Sequence, residues 1–265
     1  MKAKCLNCGT SFDSKYCPNC GQKAETKRLK IVEIISDSIS SISGYNNKLR
    51  NTLTSLCIRP GHMAREYLLG QRTKYYNPIQ LLVWIVAIYA LVLYGLGDDA
   101  LAFDNIKDLN NDDENDTISE MAAYFVSWLK VLYDKKVYFA LFQSLLAVFP
   151  FWLVFHKTKI QRPDGELIPL NPTEHFYVLT YYACIKMLFV ICLLPFSLIP
   201  DSEDILNNIR VFVGIIFYII MYKQLMKLSW YKGVWMSLLA YALMSVLIIV
   251  LFVIIIAILV QFHRG

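Results

Sequence analysis

The chain has 265 residues, 56% of them hydrophobic, with a mean hydropathy of +0.43 and a formal net charge of +5. Its apolar residues gather in long blocks, which excludes a disordered chain and an ordinary water-soluble globule. The N-terminal MKAKCLNC opens a long polar stretch, so no cleavable signal peptide is expected.

The first chemically specific stretch is CLNCGTSFDSKYCPNCGQ, residues 5–22. Cys5 and Cys8 form one C-x2-C pair, and Cys17 and Cys20 form a second. Two such pairs suit one tetrahedral ion, and zinc accepts four sulfur ligands readily. A lone C-x-x-C would also fit a redox site, but no βαβ pattern surrounds these pairs. Four protein ligands leave no position for water or substrate, so the expected zinc is structural. Gly9 and Gly21, each following the second cysteine of a pair, suit tight turns that aim amides at sulfur. Residues 1–24 are thus read as a cytoplasmic zinc ribbon, in a compartment that keeps thiols reduced. Cys57, Cys184 and Cys192 lie in apolar surroundings and are read as packing residues.

Residues 25–76 are read as basic, amphipathic juxtamembrane helices. RLKIVEIISDSISSIS, residues 28–43, places its isoleucines near one side at helical spacing. NKLRNTLTSLCIRPG follows, with Pro60-Gly61 breaking the pattern, and HMAREYLLGQRTKYYNP leads into the first apolar block. Arg59, Arg65, Arg72 and Lys74 are the expected contacts to anionic head groups. The ribbon ending YCPNCGQ, together with TLTSLCIRPGHMAREYLLGQRTKYYNP, resembles an uncharacterised family of bacterial zinc-ribbon membrane proteins, a domain of unknown function. That resemblance implies the architecture and a bacterial membrane location, and no activity.

Residues 77–265 are read as a transmembrane helical bundle. Apolar runs of about 20 residues are long enough to cross a bilayer, and in lipid such runs must be helical. Five spans are expected: Pro78–Leu96, Val137–Phe155, Phe176–Ile199, Val211–Leu228 and Val234–Phe262. The fold class is therefore an all-α polytopic membrane protein with about five transmembrane helices behind amphipathic helices and a four-cysteine ribbon. Residues 1–76 hold 13 basic and 5 acidic residues, net +8, whereas residues 97–136 hold 4 basic and 10 acidic, net −6. Basic loops stay inside, so the N-terminus is expected in the cytoplasm, the acidic loop 97–120 outside and the C-terminus outside. A re-entrant fourth segment would instead return the C-terminus to the cytoplasm. Tyr75, Tyr76, Trp152, Trp230, Tyr231 and Trp235 are expected in the inner interfacial belt. The acidic loop reads as solvated chain, and residues 121–133 as a stretch lying on the outer membrane surface.

Lys186 is the one charge well inside a strong span. It lies about 15 Å deep if the span starts at Phe176, where Gln143, Ser144, Tyr218 and Ser245 would complete a polar layer. If the span starts nearer Tyr181, Lys186 snorkels inward, which is the favoured reading. His62 with Glu66, and His156 with His175, make no complete hydrolase set. The expected function is a non-enzymatic interaction or assembly role, with the ribbon docking a cytosolic protein partner or capping its own bundle. A transporter or channel using Lys186 is the alternative, and an intramembrane enzyme the third reading. Lipid is the expected environment; nucleic acid is not an expected partner, and the sequence sets no oligomeric state.

Overall fold

The computed structural model describes residues 3–24, 46–96, 136–162, 165–200 and 202–264. The expected helix at 28–43, the acidic loop 97–120 and the apolar stretch 121–133 lie outside the described residues.

Two minimal hairpins precede and interrupt a helical body. Strands β1 (Ala3–Lys4) and β2 (Ser11–Phe12) pair antiparallel in the ribbon. Helices α1 (Asn46–Ile58) and α2 (Pro60–Leu68) follow, then α3 (Pro78–Leu96) and α4 (Lys136–Phe155). Strands β3 (Lys159–Gln161) and β4 (Leu167–Pro169) form the second hairpin, with Ile160 opposite Ile168. These strands lie between the second and third expected spans. Both isoleucines face inward while their neighbours face out, the alternation of a half-buried strand.

The body is completed by α5 (Pro172–Leu193), a 3-10 turn (Leu194–Leu198), α6 (Glu203–Met226) and α7 (Trp230–Arg264). Three helical segments are long and apolar enough to cross a membrane: Pro172–Leu198, Asp204–Met226 and Trp230–Leu251. The expected count of five is not reached among the described residues. Within α3 and α4, the first two expected spans correspond to the shorter apolar stretches Pro78–Val92 and Phe142–Phe155. The weakest expected span is one continuous helix that begins earlier than expected, at Glu203.

Helix α5 is central, packing against α2, α3, α4 and α6. A capping box starts it: the Asn171 side chain accepts from the Glu174 amide at 2.7 Å, and Glu174 Oε2 accepts from the Asn171 amide at 2.8 Å. That reciprocal pair satisfies two amides that a helix start leaves open. The core around α5 is aromatic. Tyr182 stacks on Tyr218 at 3.6 Å between centroids, Phe155 on Tyr222 at 4.5 Å, and Tyr67 on Tyr177 at 6.0 Å.

Helix α2 lies against α6 at a very close crossing. A Cβ on Gly61 would come within 2.1 Å of Met221 O, while the Gly61 amide donates to Gln224 Oε1 at 3.0 Å. The Pro60-Gly61 pair, read from sequence as a break, is therefore a helix start and a contact point, with Pro60 at the first turn where its missing N–H is harmless. Tyr75 and Tyr76 are also placed differently from the expected belt. Each is buried; the Tyr76 amide donates to Thr52 Oγ1 at 2.9 Å, and its carbonyl accepts from the Tyr181 hydroxyl. Trp230, Tyr231 and Trp235 remain exposed.

Candidate metal centre

The ribbon is built from two copies of one knuckle. In the first, the Gly9 amide donates to Cys5 O at 2.9 Å, and the Cys5 amide to Thr10 O at 2.9 Å. In the second, Gly21 donates to Cys17 O at 2.8 Å, and Cys17 to Gln22 O at 2.8 Å. The cross-strand pairs repeat as well, Lys4 with Ser11 and Tyr16 with Lys23. Gly9 and Gly21 adopt φ of +78° and +71°, left-handed values that a side chain disfavours.

These turns bring the four thiols together. Cys5 Sγ lies 3.5 Å from Cys20 Sγ, and Cys8 Sγ 3.5 Å from Cys17 Sγ. All four sulfurs lie within 4.8 Å of one another. A tetrahedral zinc with bonds of about 2.3 Å needs sulfur separations of about 3.8 Å, so the cluster fits a metal ion of that size. Cys5 and Cys17 are buried, Cys20 is half-buried and Cys8 is exposed. With Phe12, the two buried cysteines form the ribbon's small core, and Cys20 and Ala24 pack against it.

The thiols differ before any ion binds. Burial pushes Cys5 up to about 11, against the pull of the Cys8 and Asn7 amides. The Thr10 hydroxyl and then its amide lower Cys8 to about 6. At Cys20 burial opposes ionisation, yet the Gln22 amide and the Asn7 side chain leave it lowered overall. A bound cation would draw all four to thiolate.

The ribbon rests on the turn between α2 and α3. A Cβ on Gly70, whose φ is +110°, would come 2.8 Å from Leu6 Cδ1. Thr73 Oγ1 donates to Gln22 Oε1 at 3.3 Å, and Gln22 is buried there. Leu6 lies between the cysteines of the first pair, so the knuckle itself presents the docking residue.

Beyond that turn lies a cage that sequence reasoning missed. Glu66 receives Arg59 Nη1 at 2.7 Å, Lys74 Nζ at 2.8 Å and the Tyr75 hydroxyl at 2.6 Å. Burial would raise the Glu66 carboxyl, but the hydrogen bonds from Lys74 and Tyr75 and the charges of Lys74 and Arg59 hold it below its ordinary value. Lys74 and Tyr75 lie beyond the end of the helix that carries Glu66, so only the fold reveals the cage. Two of the four cations expected at head groups are thereby paired with Glu66. Arg65 faces inward, 9% exposed, donating to Gln161 O at 3.2 Å and Leu225 O at 3.4 Å. Arg72 is half-buried beside the docked ribbon.

The residues of the expected polar layer each have their own surroundings. Ser144 donates to Leu179 O at 3.4 Å, and Ser245 to Tyr241 O within its own helix at 3.0 Å. Tyr218 is buried in the aromatic stack, and Gln143 is half-buried. Lys186 is half-buried. His175 is buried with Tyr222, whereas His156 is exposed beside Leu153 O. Among the described residues the four cysteines form the one group of metal-ligating side chains.

Residues 46–90 match the model of a family described as "Protein of unknown function (DUF3667)". That match spans α1, α2, the docking turn and most of α3, and lies outside the ribbon. No curated protein and no solved structure matches the chain.

Proposed function

We propose that the chain is a multi-pass protein of a bacterial cytoplasmic membrane in which a zinc-held ribbon caps the cytoplasmic end of its own helical bundle. The role is one of assembly and not catalysis. The single observation that supports it is the docking of the four-cysteine knuckle on the Gly70–Thr73 turn through Leu6 and Gln22. A closed set of four sulfurs builds shape without offering a reactive position. The segment it covers runs directly into Lys74, Tyr75 and Tyr76, which join the Glu66 cage, Thr52 and Tyr181. Zinc therefore holds the surface that holds the start of α3.

In this reading α3 and α4 also cross the bilayer, giving five spans with the basic N-terminus inside and the C-terminus outside, in accord with the charge asymmetry of residues 1–76 and 97–136. Elemental analysis of the purified chain is expected to find one zinc per molecule. Removing it with a chelator, or by Cys17→Ser with Cys20→Ser, is expected to speed maleimide labelling of Gln71→Cys, read at that site by peptide mass spectrometry, and to lower the melting temperature of the bundle. Unchanged labelling and unchanged melting after metal loss would overturn the capping role.

A further inference from the structure

Helix α6 ends at a sharp corner. Lys227 takes a left-handed φ of 51° at its C-cap, and the Leu228 amide donates back to Lys223 O at 3.0 Å. Lys223 Nζ then lies 3.9 Å from the centroid of the Trp230 ring at the start of α7. A Cβ on Gly233 would come 3.0 Å from Lys223 Cβ, so the first turn of α7 packs directly on that lysine stem.

The outer side of this corner alternates cations with amphipathic rings. Trp230, Tyr231 and Trp235 are 61%, 74% and 60% exposed, and Lys227 and Lys232 are exposed between and beside them. Among the described residues neither lysine forms an ion pair. The Gly61 crossing sets α2 against Met221–Leu225, which brings Arg59 and His62 alongside. Their proximity is visible in the electrostatics. Burial, then the charges of Arg59 and Arg65, and also Lys227, hold His62 below its ordinary value, with Glu66 opposing. Glu66 is engaged by Arg59, Lys74 and Tyr75 and offsets part of that field, while Lys227 and Lys232 stand exposed at the corner.

We propose that the α6–α7 corner, with the adjoining end of α2, is a docking surface for anionic phospholipid head groups. The inference rests on the reading above that this corner faces the cytoplasmic leaflet. Charge complementarity selects the lipid phosphate, and the rings select the membrane over a soluble polyanion. Tryptophan and tyrosine settle where one end is apolar and the other wet. Lys223, held over the Trp230 face, fixes that ring in place, while Lys227 and Lys232 reach the phosphate plane. This surface differs from the cations expected at head groups from sequence, of which Arg59 and Lys74 are turned toward Glu66 and Arg65 inward.

The test uses the full chain in nanodiscs of phosphatidylcholine with a minor share of phosphatidylglycerol, with retained lipids counted by native mass spectrometry. The wild type is expected to retain phosphatidylglycerol in excess of its share. Each removed charge is expected to lower that preference about fivefold, so Lys227→Gln with Lys232→Gln should nearly abolish it at unchanged melting temperature. Lys4→Gln with Lys15→Gln removes the same charge from the exposed face of the ribbon and should leave it intact. Equal losses in both pairs, or no wild-type preference, would overturn the proposal. Labelling of Lys232→Cys in cells by a membrane-impermeant maleimide tests the orientation separately. Protection from outside with no lipid preference sinks the docking surface alone, and labelling from outside sinks the orientation beneath it.

Discussion

The Tyr75 hydroxyl donates a 2.6 Å hydrogen bond to Glu66 Oε2, tying the entrance of α3 to the outer face of α2. Lys74 shares that oxygen and Arg59 takes the other, so one carboxylate holds three side chains from the two turns that flank α2. Arg59 and Lys74 are 40% and 36% exposed, which screens the ion pairs and leaves much of the work to the hydrogen bonds. Glu66→Gln is expected to cost about 1–2 kcal/mol near neutral pH, read as a lower melting temperature in detergent.

The same carboxylate predicts a pH dependence. Its folded value is depressed, so the stabilisation is present above the ordinary carboxylate range and fades as pH falls through the folded value. The wild-type advantage over Glu66→Gln should be full at neutral pH and begin to shrink below about pH 4.3. A constant difference across that range would mean the charge is not what the cage uses.

Gly61 and Gly95 make a matched pair. A Cβ on Gly61 meets Met221 O at 2.1 Å, Gln224 Cβ at 2.5 Å and Leu225 N at 2.7 Å, whereas a Cβ on Gly95 meets nothing within 4 Å. Two of the three Gly61 obstacles are backbone, so α2 and α6 must move apart to admit a methyl group. Gly61→Ala is expected to cost about 1–3 kcal/mol by overpacking. Gly95→Ala should be neutral or slightly stabilising, because alanine favours helix. Thermal unfolding of the two variants side by side separates steric conflict from helix propensity.

Sequence spacing was enough to pick Cys5, Cys8, Cys17 and Cys20, because C-x2-C carries its geometry within a few bonds. Hydropathy found the apolar blocks for a similar reason, since length and composition decide whether a helix suits lipid. It did not find what those helices do to one another. Tyr75 and Tyr76 look like belt residues in one dimension and turn out to be core residues, because Thr52, Glu66 and Tyr181 converge on them from distant positions. Gly61 shows the same limit: a glycine after proline signals a break locally, and only the crossing helix gives its lack of a side chain a purpose. The β3–β4 hairpin was missed because three-residue strands are too short to display a period.

The two knuckles allow a test of strain without steric conflict. Gly9 and Gly21 hold φ of +78° and +71° with nothing within 4 Å of an added Cβ. Gly21→Ala therefore costs only the left-handed backbone penalty, about 1–2 kcal/mol. In a segment this small, metal binding supplies most of the folding energy, so the penalty should emerge as zinc affinity weakened about 5- to 30-fold. Titration against a competing chelator reads it directly. Gly9→Ala should give a similar loss, and a large difference between them would mean that the knuckles are not equivalent in energy.

His175 and Tyr222 form an enclosed polar pair in the bundle. Both are fully buried, and His175 Nδ1 lies 3.1 Å from the Tyr222 hydroxyl. The other ring nitrogen, Nε2, has no partner among the described residues. Tyr222→Phe keeps the ring that packs on Phe155 at 4.5 Å and Phe151 at 4.8 Å, and removes only the hydroxyl. It leaves a buried imidazole without its partner, expected to cost about 1–3 kcal/mol, whereas replacing both groups with apolar ones is expected to cost much less. The double variant His175→Leu with Tyr222→Phe should therefore be more stable than the sum of the single changes, a coupling that a double-mutant cycle measures. Strict additivity would show that the hydroxyl and the imidazole do not depend on each other.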